Sequence, residues 1–494
     1  MSAHGPVAGR VDDLLAGEQV RVTGTIRPVS GHDDWAKWRH EVGRVTINTV
    51  TDTAPGSPVA GAANAIRRTL TRGADALDRG DRAVFLGMVI GDDRAQTAAT
   101  ADDFRAAGLG HLLVVSGQNV AFVLAIAAPM VAGMRPATRL VVLSAVLVLF
   151  AVLTRFEPSV LRAVAMAGVG IGSQVFGNPL DGRKGLSAAI ALLVLIDPFL
   201  VHVLAFQLSA AATAGIVWLS APLAERIGGP GWFRIPFSTT VAAQLGVSPL
   251  LVVSFGPIPA ATLPANLLAG PMSGPVMVWG CTAGLAAGVL GEWAAGVIHL
   301  PTAAMLWWIR VVAAGAARGP QATFGVEAIV ALSLLVAMTL GRSKGLRVLA
   351  GMFAIALCAG AVATAPTPEP GFTDLGRGVE AWQVEELLVL VLRNPADPRS
   401  VLQTTRTAGV GRPDLVVATD GDAADAFAVM ALNDRFGELL VIAPPLHRVP
   451  GAHTVASGDE LLIAGEAVSI VEVDLGIEFD ISHHRPRSID TGPG

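Results

Sequence analysis

From Phe104 onward the chain repeatedly presents apolar runs too poor in charge to be surface segments and too numerous to be one core. They fall near 104–134, 139–153, 158–176, 186–201, 203–222, 237–255, 264–290, 294–314, 324–340 and 346–364. A helix needs roughly 20 predominantly apolar residues to cross a bilayer core, so the pattern predicts a polytopic α-helical membrane protein of roughly ten spans. Charged residues make up 15% of the 494, where a soluble domain carries about 25%. The 55 glycines suit a packed membrane bundle, because small residues let helix backbones approach closely.

Within this series, Phe104–Met134 carries the most polar information. It reads FRAAGLGHLLVVSGQNVAFVLAIAAPMVAGM, and no charge occurs from Ala121 to Ala132. The tetrad Ser116-Gly117-Gln118-Asn119 stands where a helix enters the membrane. Hydrocarbon penalises unpaired amides and hydroxyls, so these side chains are expected to face protein or water. A charge at mid-bilayer costs about 2.5–3.5 kcal/mol on insertion scales, which marks retained intramembrane charges as functional or paired. The candidates for a polar path are therefore His111, Ser116, Gln118, Asn119, Arg155, Glu157, Arg162, Gln207, Gln244 and Asn266, with Asp197 and Ser209 beside them. Were 155–162 helical, Arg155 and Arg162 would share a face two turns apart. Two roles stay open for that group. Arg162 could meet an anion on a wet path (a passing phosphate, by the resemblance given below), or Arg155, Glu157 and Arg162 could pair at the interface. Gln207 and Asn266 also suit plain interhelical hydrogen bonds.

Four stretches resemble one family. GLGHLLVVSGQNVAF, LTRFEPSVLRAVAMAGV (153–169), DPFLVHVLAFQLSAAATAGI (197–216) and AAQLGVSPLLVVSFGPIPAATLPANLLAGP (242–271) occur in order. Together they resemble the signature of ComEC-type competence proteins, bacterial inner-membrane channels for uptake of single-stranded DNA. The resemblance implies that single-stranded DNA and the lipid bilayer are the partners. It also implies a DNA-receptor protein and a cytoplasmic DNA-translocating motor, with homo-oligomerisation left open. No P-loop pattern supplies an energy source within the chain. Relatives begin with membrane helices that this chain lacks, so either a late start or a shortened form is expected.

By the same resemblance, 1–60 is a reduced OB-like β domain and 61–103 an Arg-rich helical connector. The competence-type membrane domain is 104–364, the linker 365–371, and 372–494 a small α/β domain resembling a degenerate metallo-β-lactamase fold. Glu18–Pro28 and His40–Val50 alternate as strands do. Trp35 and Trp38 with Lys37 and Arg39 suit either strand stacking or simple packing. Arg67, Arg68, Arg72, Arg79 and Arg82 read as a solvated helix face or as a surface for DNA phosphates or lipid headgroups. Where the family places metal-binding histidines, this chain has Thr419-Asp420-Gly421-Asp422-Ala423-Ala424-Asp425. The missing imidazoles predict no metal, no cofactor and no catalytic residue. His483-His484 reads as tail. The expectation is a chain that is not an enzyme.

Other classes are weighed against these residues. Cys281 and Cys358 lie in apolar runs, which excludes a disulfide framework, and a net charge of −5 excludes a globally basic nucleic-acid binder. His111 and Ser116 are five residues apart, on different faces of a helix, so an intramembrane serine hydrolase is rejected. A solute transporter remains the alternative, together with an inactive structural relative, because broken helices meeting at polar sites also suit transport. Basic loop residues set the orientation. With the N-terminus outside, Arg135, Arg139, Arg183, Lys184, Arg226, Arg234, Arg342, Lys344 and Arg347 face the cytoplasm. Multi-pass insertion in the bacterial cytoplasmic membrane with both soluble ends outside is expected.

Overall fold

The computed structural model describes residues 2–3, 11, 14–28, 43–175, 180–319, 321–339, 360, 371–384, 387–395, 397–445, 447–463, 466–472 and 478–483. The tryptophan pair at 35 and 38, the linker up to residue 370, the last expected span apart from residue 360, and His484 lie outside them. The chain divides into a helical unit (Met1–Gln96, Ala107–Ala314, Phe324–Ala359) and a C-terminal unit (Thr97–Ala106, Gly315–Thr323, Gly360–Gly494).

The helical unit opens on a three-stranded sheet, in which β1 (Gln19–Pro28) and β2 (Gly43–Ala54) form an antiparallel ribbon paired from Gln19↔Ala54 to Pro28↔Gly43, and the short segment Ser2–Ala3 pairs in parallel with Thr46–Ile47 of β2. The alternation of Val, Thr and Ile fits a pleated surface. Gly24 sits at an irregularity in the ladder, where any Cβ would collide with the Thr46 carbonyl. Helix α1 (Pro58–Ala74) starts at Ser57, whose hydroxyl accepts from Ala60 N at 3.3 Å, with proline in the first position. Those are standard start signals. Its inward face is Ala60, Ala63, Asn64, Arg67, Leu70 and Ala74.

Arg67 is therefore neither solvated nor free for DNA or lipid. It is 2% exposed, and it donates to Ile90 O at 2.8 Å and Leu153 O at 3.0 Å. Burial pulls its pKa down to about 10, so it stays charged at neutral pH. Those carbonyls end α2 (Arg79–Ile90) and α5 (Pro136–Leu153), where helices leave acceptors unsatisfied and favour cations. Arg68 pairs with Glu18 and Arg82 with Asp75.

In chain order follow α3 (Ala98–Ala106), α4 (Gly117–Met130), α5, α6 (Pro158–Val175), α7 (Gly182–Ile196), α8 (Leu204–Arg226) and α9 (Gly231–Phe255). Then come α10 (Thr262–Leu290), α11 (Glu292–Arg318) and α12 (Val326–Thr339). Among the described residues five helices, α5 and α8 to α11, are long and apolar enough to cross a membrane. Three shorter apolar segments lie at 117–130, 158–173 and 326–336. Only 11% to 33% of an 18-residue apolar stretch in each long helix is buried, and apolar side chains such as Val253 and Trp293 are exposed, as lipid-facing surfaces must be. Glycines seam the helices. A Cβ on Gly246 would strike the Ala211 carbonyl, and one on Gly215 the Ala242 carbonyl, locking α8 against α9.

The C-terminal unit holds β3 (Gly371–Gly376), β4 (Val379–Val384), β5 (Leu387–Leu392), α13 (Pro398–Thr407), β6 (Leu415–Ala418) and α14 (Ala423–Phe436). After them come β7 (Val441–Ala443), β8 (His453–Thr454), β9 (Glu460–Ile463), β10 (Glu466–Glu472) and β11 (Glu478–His483). One sheet has the order β8-β7-β6-β5-β4-β3, parallel from β5 to β8 and antiparallel from β3 to β5. Central β5 reads LLVLVL and is buried throughout, the signature of a strand covered on both faces. One face packs on α13 and α14, and the other meets Val468 and Leu461 of the β9–β11 sheet. Ala99 of α3 belongs to the first core. Arg406 and Arg435 both reach Asp102, and Arg435 also pairs with Asp103.

Candidate functional site

The polar stretch of the helical unit is built around the entry into α4. Gly108 takes φ +67°, a left-handed conformation suited to glycine, and a Cβ there would overlap the Thr262 side chain. Asn266 donates to Thr262 O at 2.8 Å and reaches Gly108 O at 3.4 Å. A short 3-10 turn, Gly110–Leu113, then carries His111 on an exposed side. Val114 and Ser116 are extended, and α4 begins at Gly117.

Three polar groups fasten this entry. Ser159 of α6 donates its hydroxyl to Val115 O at 3.0 Å. Asn119, 7% exposed, donates to Met88 O of α2 at 2.8 Å and accepts from the Ser116 hydroxyl at 3.1 Å. Ser116 thus occupies the N-cap position without capping the helix. Arg162, one turn beyond Ser159, lies against Gly117. A Cβ on that glycine would stand 2.7 Å from Nη2. Arg162 Nε donates to Ser209 Oγ of α8 at 2.8 Å, and Nη1 meets Met166 Sδ at 3.2 Å.

The remaining sequence candidates stand apart from this cluster. Gln118 is exposed; Gln207 donates to Val201 O at 2.6 Å, and Gln244 to Ser248 Oγ at 3.2 Å. The condition for Arg155 and Arg162 to share a helical face is not met. Arg155 and Phe156 both have φ 57°, in the exposed turn between α5 and α6. Pro158 opens α6, and a residue before proline avoids the helical region. Nor does Arg162 hydrogen-bond to Glu157: its partners are Ser209 and Met166. Sequence reasoning missed Gly117, Ser159 and Thr262 as participants, although all three lie inside the quoted motifs.

In the C-terminal unit the loop Thr419–Asp425 spends its polar groups on its own fold. The Thr419 hydroxyl donates to Leu392 O at 2.8 Å. Asp422 caps α14 by accepting from Ala424 N at 2.8 Å and Asp425 N at 3.0 Å. Fully buried Asp425 accepts from Gly421 N at 2.8 Å and Asp420 N at 3.1 Å, while its Oδ1 has no partner. Burial pushes its carboxyl up to about 6. Among the described residues no group of three His, Cys, Asp or Glu is placed to hold a metal ion.

The polar cluster lies wholly within a stretch recognisable in other proteins. Residues 88–347, more than half of the chain, match the family Competence protein. The chain belongs to the competence protein family. A relative, ComE operon protein 3 of Bacillus subtilis (strain 168), is 27% identical over 180 residues, which is 36% of this chain and 23% of that protein. The chain thus aligns with about a quarter of that relative's length. No solved structure matches it significantly. With five long apolar helices among its described residues, this member of the competence family is a membrane protein.

Proposed function

We propose that this chain forms the passage by which one strand of DNA crosses the bacterial cytoplasmic membrane during natural transformation. The observation that carries the reading is the meeting of family-like segments at one place. Val115 to Asn119, Ser159 with Arg162, and Ser209 come from three of the four motifs and are joined by hydrogen bonds. The fourth motif joins through Asn266 at Gly108. An apolar helical unit that concentrates hydroxyls and a guanidinium at one helix entry provides polar partners for a charged polymer, which lipid alone does not.

In this reading the unit makes roughly ten spans, some of them short or re-entrant. The β1–β2 ribbon belongs to a reduced OB-like domain, and the C-terminal unit is a degenerate metallo-β-lactamase relative without hydrolase chemistry. Both soluble ends lie outside the cytoplasm. A receptor protein delivers DNA, a cytoplasmic motor pulls it, and assembly as a homo-oligomer is compatible with both. An in-frame deletion, complemented by the wild-type chain, tests the passage. Transformation should fall to background in the deletion and return with the complement. Wild-type transformation in the deletion strain would reject the reading.

A further inference from the structure

Arg162 carries a charge that no carboxylate among the described residues balances. It is 7% exposed, and its hydrogen-bond partners, the Ser209 hydroxyl and the Met166 thioether, are both neutral. A buried cation held this way is costly unless an anion joins it. Its position sharpens the point. Nη2 rests against Gly117, the first residue of α4, where a Cβ would lie 2.7 Å away. The amino end of a helix carries about half a positive charge. Two positive poles therefore lie close together.

The N-cap residue does not relieve this. Ser116 makes no capping bond, because its hydroxyl is directed to Asn119 Oδ1. Helix amino ends left in this state bind phosphate groups. A guanidinium beside one adds N–H donors whose geometry matches a phosphate oxygen pair.

Resting on the proposed DNA passage, we propose that Arg162 and the amino end of α4 at Gly117 form a site for one phosphodiester oxyanion of the passing strand. Gly117 is the positioning residue of that site. With any side chain there, the guanidinium must leave the helix end, since Ala163 Cβ and Ser159 O already stand 3.1 Å and 3.2 Å from the same point.

The test uses the full chain in phosphatidylcholine nanodiscs and fluorescein-labelled dT12, followed by anisotropy across a salt series. Each single-strand phosphate neutralised contributes about 0.7 to the slope of log affinity against log salt. Arg162→Gln should lose about 0.7 of slope. Gly117→Ala should lose the same amount with the charge still present, which a merely structural role would not produce. Gly170→Ala on the helix that carries Arg162, where a Cβ meets nothing within 4 Å, should keep the wild-type slope. If Gly117→Ala does not fold, Arg162→Lys decides: the slope is retained and affinity falls. An unchanged slope in Arg162→Gln overturns the site while leaving the passage intact. If native mass spectrometry then shows one phospholipid lost in that variant, the anion is a lipid headgroup and the DNA assignment is wrong. Wild-type chain that does not bind dT12 at all overturns the passage and the site together.

Discussion

Arg406 and Asp102 stand 304 residues apart in the chain and 3.1 Å apart in space. Asp102 is 1% exposed and also meets Arg435, at 3.2 Å. Removing one member of a buried ion pair strands its partner, at roughly 3–5 kcal/mol. Asp102→Ala should therefore deplete the protein, while Arg406→Ala, which leaves Arg435 on Asp102, should cost less. Immunoblots of membrane fractions read both. Equal, normal levels would show that the network contributes little.

Asp425 should make the C-terminal unit pH-sensitive. Its carboxyl is raised from 3.8 to about 6 by burial, so the folded unit holds the proton more tightly than the unfolded chain. The protonated form stabilises fully below about pH 4, and that contribution is lost as pH rises through about 6. Asp425→Asn keeps one oxygen for the Gly421 and Asp420 amides and cannot ionise. The gain in urea-unfolding midpoint of Asp425→Asn over wild type should grow from pH 4 to pH 7 in the full chain. A difference constant with pH would contradict this.

The glycine seam between α8 and α9 should tolerate no side chain. Gly246→Val sets new methyl groups against the Ala211 backbone, and overpacking of this kind costs about 1–3 kcal/mol or more. Detergent-extracted Gly246→Val should melt several degrees below wild type, and Gly168→Ala, with open space around it, should not. Equal melting of the two variants would remove the seam from the packing argument.

Arg67 holds two helix ends with one side chain. Lysine at 67 keeps the charge but cannot fork to Ile90 O and Leu153 O together. Leaving a buried carbonyl unpaired costs about 1–3 kcal/mol. Arg67→Lys should lower protein level moderately and Arg67→Met more strongly, while Arg68→Ala, at an exposed pair, should leave it unchanged. Similar levels for Arg67→Met and Arg68→Ala would refute the capping role.

Orientation is tested by fusions. Reporters joined at Gly182 and Arg342 should respond as cytoplasmic, and those at Pro257 and Pro413 as external. The reverse pattern would invert the topology.

What sequence could show follows from how each feature is encoded. Apolar runs announce helices because burial in lipid is written residue by residue; α5 and α8 to α11 fall on expected spans. The motifs announce the site because Ser116, Asn119, Arg162 and Asn266 are costly in hydrocarbon wherever they stand. Partnership is another matter. Nothing local tells Arg67, on a helix dense in arginine, that two distant carbonyls wait for it, so it reads as surface. Arg155 and Arg162 would share a face only if the stretch between them were helical, and the proline three residues after Arg155 breaks that condition. Gly117 carries no chemistry of its own, and its role appears only when Arg162 is seen against it.

The placement of α3 has a consequence for how the protein is made. Asp102 leaves the ribosome 333 residues before Arg435, and at about 5–20 residues per second that interval lasts tens of seconds. The intervening segments include all five long helices, so membrane insertion proceeds while the acidic end of α3 still has no arginine to meet. Completion of the C-terminal unit is thus a late event in biogenesis. A nonsense codon between 319 and 406 would leave in the cell an inserted bundle whose α3 carboxylates never acquire their arginines, a natural target for quality-control proteases.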